Sequence, residues 1–201
     1  MINTKERILR IALNLFSRDG YEAVSVSTIA NELGMTKSAL YKHYKSKRDI
    51  FDSILARMSQ MDIERAKEYD MPEGTFEEME EVYDRTPIED IKIYTESQFR
   101  YWTEDEFSSN FRKMMTLEQY RNAEMSQLYQ QYFVSGPLQY MEDLFYNISN
   151  GTENAKLLAL HFYAPVFTLY SLYDGAVDKE QVFALLQKHI ANFTGEMSKR
   201  K

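Results

Sequence analysis

The chain has 201 residues, 44% hydrophobic and 27% charged, enough to bury the core of one or two folded domains. With no cysteine it has no disulfide framework, thiol nucleophile or cysteine metal site, and no apolar run reaches the ~18–20 residues of a membrane span. The net charge of −7 argues against an anionic partner only until its distribution is read: residues 1–57 hold ten Lys/Arg against six Asp/Glu, whereas the remainder holds fourteen against twenty-five.

The opening MINTKERILRIAL has helical periodicity and no small-residue cleavage site, so no secretory signal is expected and a cytoplasmic location is. Ile8, Ala12, Leu15 and Phe16 predict a helix over about 4–18, started by Asn3 with Glu6 and ended at Gly20 in a left-handed turn. Ser27 is expected to cap a second helix with Ile29, Ala30 and Leu33 inward, and Thr36 a short third one to about His43. Ala30, Gly34 and Leu40 are the parts a helix-turn-helix needs: a small residue at the crossing, glycine in the turn and an apolar anchor in the second helix. Between Thr36 and Arg48 lie Lys37, Lys42, Lys45, Lys47 and Arg48 with no acidic residue, a local footprint for phosphate. Ser46 with Asp49 resembles a capping box opening a fourth helix, which runs to about Tyr69.

Met71-Pro72-Glu73-Gly74 is the clearest break and a soft boundary. The acidic stretch from Glu77 to Asp84 reads as a short helix or a loop. Pro87 suits the first turn of a helix carrying Ile88, Ile91, Tyr94, Phe99 and Trp102, and Phe107, Phe111, Met114 and Met115 continue the pattern to a pause at Asn122. A single helix is expected over about 123–148, kinked at Gly136-Pro137, then a turn at Asn150-Gly151. Two last helices follow, about 153–173 and 178–193, with a frayed tail from Ser198. No segment alternates with period two for long enough to suggest a sheet, so the fold class expected is all-α.

These residues resemble the tetracycline-repressor-like, or TetR-type, family of bacterial transcription regulators. Leu15-Phe16, Gly20, Ile29-Ala30, Gly34, Leu40-Tyr41, His43-Tyr44 and Lys47 carry the resemblance, which covers roughly 4–57; His161-Phe162-Tyr163-Ala164-Pro165 resembles the family less diagnostically. Ser38 departs from the glycine of many members, which bears on base preference. The resemblance implies a three-helix DNA-binding head, expected over 1–50, and a larger helical ligand-binding and dimerisation domain over 51–201.

Thr36, Lys37 and Ser38 open the recognition helix and are the candidates for reading base edges, with Tyr41 on the same face. Ser27, at the start of the second helix, is a further DNA-binding candidate. His43 and Tyr44 are expected to contact phosphate, as the resemblance implies, and Lys47 to do so from the start of the fourth helix. In the C-terminal half Tyr94, Phe99, Trp102, Phe111, Met115, Tyr129, Phe133, Tyr163 and Phe167 are either ordinary core or the lining of an apolar ligand chamber, which the family implies. Leu158, Phe162, Val166, Leu169 and Tyr173 form one apolar stripe, and Val182, Leu185, Leu186, His189 and Phe193 another. Each stripe packs on its own subunit or, as the family implies, pairs with its two-fold copy.

Enzyme readings find little: His43, His161 and His189 form no metal-ligand pair, and no phosphate loop or nucleophile elbow appears. No cofactor or metal is expected. The function expected is a homodimeric repressor that reads a pseudo-palindromic DNA operator and is released by a small apolar effector. The alternative is a ligand-binding or protein-interaction module whose head no longer reads DNA.

Overall fold

The computed structural model describes residues 3–146 and 152–198, and among them every regular element is a helix. The eleven in chain order are α1 (Thr4–Asp19), α2 (Val26–Glu32), α3 (Lys37–Tyr41), α4 (Lys47–Glu68), α5 (Phe76–Arg85), α6 (Ile88–Glu104), α7 (Glu106–Glu118), α8 (Ala123–Phe133), α9 (Ser135–Phe145), α10 (Thr152–Gly175) and α11 (Lys179–Ser198). The all-α expectation holds, and no described helix is long and apolar enough to cross a membrane.

Contacts divide the chain into two compact units. One takes in the chain through Asp62 together with Glu104–Tyr129; the other takes in Ile63–Thr103 and the chain from Gln130 onward. In the first, α1 packs along α7 and against α2, and α2 crosses α3. Its core is Ile8, Ala12, Leu15, Phe16, Ile29, Ala30, Leu40, Ile50, Phe51, Phe107, Phe111 and Met115, nearly all fully buried. In the second, α10 packs against both α9 and α11, and α5 lies on α9.

Local chemistry explains most helix ends. Asn3 accepts the Glu6 N–H at 2.8 Å, and Asn122 accepts the Met125 N–H at 3.0 Å, so both polar breaks are caps. Gly20 has a φ of +85° and its N–H closes on the Phe16 carbonyl. Ser46 accepts the Asp49 N–H at 3.0 Å, while the Asp49 carboxylate reaches back one residue further than in a capping box, to the Lys45 N–H at 2.7 Å. Helix α4 stops where Asp70 takes a left-handed φ of +52° and the Met71 N–H returns to the Ala66 carbonyl at 2.9 Å.

Three expectations are corrected or resolved. The cap of the second helix is Ser25, not Ser27: its hydroxyl accepts the Thr28 N–H at 3.0 Å, and Val26 then falls on the buried face. The acidic stretch is helical in α5, opened by a reciprocal capping box between Thr75 and Glu78. The single kinked helix is two, broken at Val134, with Gly136 and Pro137 in the first turn of α9. A Cβ at Gly136 would lie 1.9 Å from the Gln131 carbonyl oxygen, so glycine permits the close passage and proline costs no helical hydrogen bond there. The expected turn at Asn150-Gly151 and the tail beyond Ser198 lie outside the described residues.

Candidate nucleic-acid interface

Leu40 decides how α3 is presented. It is fully buried beside Ala30, and Gly34, at a φ of +66°, turns the chain between them. One face of a five-residue helix is thereby fixed inward, so Lys37, Ser38 and Tyr41 project outward. Thr36 caps the helix, accepting the Ala39 N–H at 3.2 Å, and its hydroxyl is 3.1 Å from that of Ser38. Tyr41 is 44% exposed, and the Lys37 ammonium stands over its ring. Lys42 and Lys45 follow, both exposed. Among the described residues no carboxylate lies within ion-pair distance of the side-chain ammonium of Lys37, Lys42 or Lys45; the Asp49 carboxylate meets Lys45 at its backbone N–H. Lys42 and Lys45 belong to the basic strip, and their exposure beside α3 makes them candidate site residues as well.

The other predicted contacts are placed differently. Ser27 and His43 are half-buried. Tyr44 is buried within the head, where its hydroxyl donates to the Lys5 carbonyl at 3.4 Å and burial pushes the phenol pKa up. It therefore fastens the start of α1 and presents no phenol to a phosphate. Lys47 is half-buried, and its ammonium lies 4.2 Å from the Tyr21 ring centre. It donates to the Tyr21 carbonyl at 2.8 Å and reaches the Glu22 carboxylate at 3.6 Å.

The same unit holds two long-range ties that sequence reasoning missed. The Glu118 carboxylate, only 1% exposed, accepts the Tyr21 N–H at 2.9 Å and pairs with Arg121 at 3.3 Å. Arg48 grips Glu124 with both terminal nitrogens, at 2.9 and 2.5 Å, and Asp52 at 2.7 Å. These hydrogen bonds raise the Arg48 pKa and lower that of Glu124.

The predicted ligand residues fall in both units. Tyr94, Phe99, Trp102, Phe133 and Tyr163 are buried in the second. There Trp102 meets Phe133 edge-on at 4.9 Å, Phe99 stacks on Tyr170 at 5.2 Å, and the Tyr163 hydroxyl donates to the Phe133 carbonyl. Phe167 is 37% exposed and outside this cluster's buried set. Phe111, Met115 and Tyr129 are buried in the first unit. Tyr69, Tyr83 and Tyr140 were not singled out from sequence, yet their rings join Tyr94 in one cluster. Tyr83 and Tyr140 donate to the Gly74 and Pro72 carbonyls, so their tyrosine identity follows from the break they seal.

The two predicted interface stripes are mostly internal. Phe162, Val166, Leu169, Tyr173, Val182 and Leu186 are buried by their own unit; Leu158, His189 and Phe193 are half-buried, with His189 Nε2 hydrogen-bonded to the Phe162 carbonyl. Only Leu185 is exposed. The exposed apolar row of α10 is offset from the predicted one: Leu157, Leu160, Phe167 and Leu172. Strong periodicity marked the face that α10 buries in its own fold, and this second row was hidden beside it.

Residues 8–54 match the family described as bacterial regulatory proteins, tetR family. Over 51 residues the chain is 43% identical to the HTH-type transcriptional regulator AcrR of Shigella flexneri, covering 25% of this chain and 24% of that one. It is also 43% identical over 47 residues to the uncharacterized regulator YerO of Bacillus subtilis, covering 23% and 16% of the two chains. The match thus spans a quarter or less of these relatives' length. Solved structures extend the likeness of fold to nearly the whole chain. A transcriptional regulator from Aquifex aeolicus VF5 has a TM-score of 0.67 at 19% identity, covering 94% of this chain and 98% of that one. The SmeT–triclosan complex has a TM-score of 0.65 at 20% identity, covering 94% and 90%; SmeT is the repressor of a Stenotrophomonas maltophilia multidrug efflux pump.

Proposed function

We propose that this chain, whose residues 8–54 belong to the tetR family of bacterial regulatory proteins, is a homodimeric, ligand-responsive repressor acting in the cytoplasm. The observation that carries the reading is the exposed set Thr36, Lys37, Ser38, Tyr41, Lys42 and Lys45, held outward by the buried Leu40. Hydroxyls, one ammonium and one ring at the start of a helix suit base edges in a major groove. The flanking lysines suit phosphates, which set position and orientation.

One such head reads too few bases, so two-fold pairing is part of the proposal, with half-sites about 34–36 Å apart. The row Leu157, Leu160, Phe167 and Leu172 with Leu185 supports pairing through α10 and α11, since an exposed apolar row along neighbouring helices favours burial against its copy. The head is assigned to 1–50 and ligand binding and dimerisation to 51–201. The effector is an apolar molecule received among the aromatic side chains of the second unit, as the triclosan bound by SmeT suggests for a similar fold. It lowers DNA affinity by its preference for a conformation in which the two heads no longer match the half-sites, and by no more than that preference.

Selection of bound duplexes from a random pool tests the reading. A recovered pseudo-palindrome with half-sites one helical turn apart is the expected result; recovery of no consensus sequence contradicts it.

A further inference from the structure

Tyr44 brings the start of α1 to the basic strip. Its N–H closes on the carbonyl of the anchor Leu40 at 3.2 Å, so the buried ring takes its place from α3. Its hydroxyl donates to the Lys5 carbonyl, 39 positions earlier, and the Lys5 ammonium lies 5.9 Å from the ring centre. His43 and Lys45 flank Tyr44 in the chain. Lys5 therefore joins the strip in space while standing far from it in sequence.

The charge on Lys5 is not taken up by a carboxylate. Beyond burial, Asp49 and Glu6 are the groups that raise the Tyr44 pKa, and each has a partner of its own. Glu6 accepts from Arg10 Nε at 3.1 Å, and Asp49 accepts the Lys45 N–H at 2.7 Å. Among the described residues no carboxylate lies within ion-pair distance of the Lys5 ammonium, which is exposed. A ring face attracts a cation but accepts far less strongly than a phosphate oxygen, so the ammonium can exchange one for the other. Resting on the ring also keeps a long flexible stem near the strip, which reduces the freedom lost when DNA is bound. Arg7 shows the contrast: it is exposed too, but two residues on it points about 200° away around α1.

We infer that Lys5 is a further DNA contact, donating to a backbone phosphate at the Lys45 end of the strip and so seating the start of α1 on the duplex. This rests on the DNA-binding reading above. The contact adds affinity and no base preference, since phosphates carry no sequence information.

The test compares Lys5→Ala with Arg7→Ala in the full chain. Each removes one positive charge from the first two turns of α1, and alanine suits a helix. Affinity for a duplex recovered by selection, or for sonicated genomic DNA if none is recovered, is measured at several salt concentrations. Lys5→Ala is expected to lower affinity about fivefold per head at moderate salt, and to flatten the slope of log affinity against log salt by about 0.9 per head. Arg7→Ala stays within about twofold of wild type with its slope unchanged, the scale of a charge that makes no phosphate contact. An unchanged slope in Lys5→Ala overturns the proposal. Equal losses in the two variants reduce the effect to net charge and overturn it as well. Wild-type binding that ignores salt overturns the DNA reading itself. Acetylation of the unmodified protein with acetic anhydride, followed by mass spectrometry, gives an independent reading. Bound DNA should slow modification of Lys5, and a Lys5 modified as fast in the complex as in the free protein contradicts the contact.

Discussion

The Lys37 ammonium lies 5.8 Å from the centre of the Tyr41 ring, one helical turn away on the exposed face of α3. The pair turns a flexible side chain and an exposed ring into one feature. A cation over an exposed ring gains about 0.5–1 kcal/mol, enough to bias where the lysine points but not to hold it against a better acceptor. Lys37→Ala is expected to change base preference at one or two positions per half-site, and Tyr41→Ala to blur the same positions by freeing Lys37. Tyr41→Phe, which keeps the ring face, retains them. Lys42→Ala and Lys45→Ala lower affinity for all sequences alike, each flattening the salt slope by about 0.9. Selections repeated with each variant separate the two classes.

Gly136→Ala destabilises the second unit. The added methyl would sit 1.9 Å from a backbone oxygen, which no side-chain rotation relieves, so α8 and α9 must part at the Val134 break. The cost expected is about 1–3 kcal/mol or more, as for overpacking in a core, read by denaturant melting. Gly175→Ala is the control: a Cβ there meets nothing within 4 Å, and stability stays within about 0.5 kcal/mol of wild type.

Acid weakens the tie between Arg48 and Glu124. Arg48 holds the Glu124 carboxyl below its ordinary value. A depressed carboxyl stabilises the fold above its unfolded-state pKa, and that contribution is lost as pH falls through the folded-state value. The melting temperature of the wild type should exceed that of Glu124→Gln at neutral pH. The gap should close below the usual glutamate range, where the wild-type carboxyl is also protonated. A gap that persists at low pH contradicts this account of the tie.

The two apolar rows of α10 separate pairing from folding. Leu160→Glu and Phe167→Glu place charge on the exposed row and should give a folded monomer, seen as a halved mass by sedimentation with an unchanged helical spectrum. Val166→Glu buries an unpaired carboxylate inside the unit and should lose the fold, or several kcal/mol of it (roughly 3–5). A wild type that sediments as a monomer at every concentration refutes the pairing.

What the sequence revealed was local in origin. Thr36, Gly34, Ala30 and Leu40 each act within a few residues of their own position, so spacing alone exposed the helix-turn-helix, and the charge distribution along the chain exposed the basic strip. The sequence points to Ser27 as the cap of the second helix, whereas Ser25 takes that place, in the register that buries Val26. Glu118 could not be found that way: nothing in its neighbours marks a carboxylate that bonds a peptide 97 positions earlier. The α10 rows failed for a different reason. Periodicity reports that a helix has an apolar face, and where it has two, only packing tells which one the chain buries by itself. Tyr44 carried a motif position into the core, where its hydroxyl serves α1.

The most direct test of the account is binding of the purified protein to the DNA upstream of its own coding region, followed from low to moderate salt. The account predicts saturable binding to one pseudo-palindrome, with affinity falling steeply as salt rises and outlasting that for scrambled DNA. Binding equally weak to both sequences at every salt concentration would contradict it.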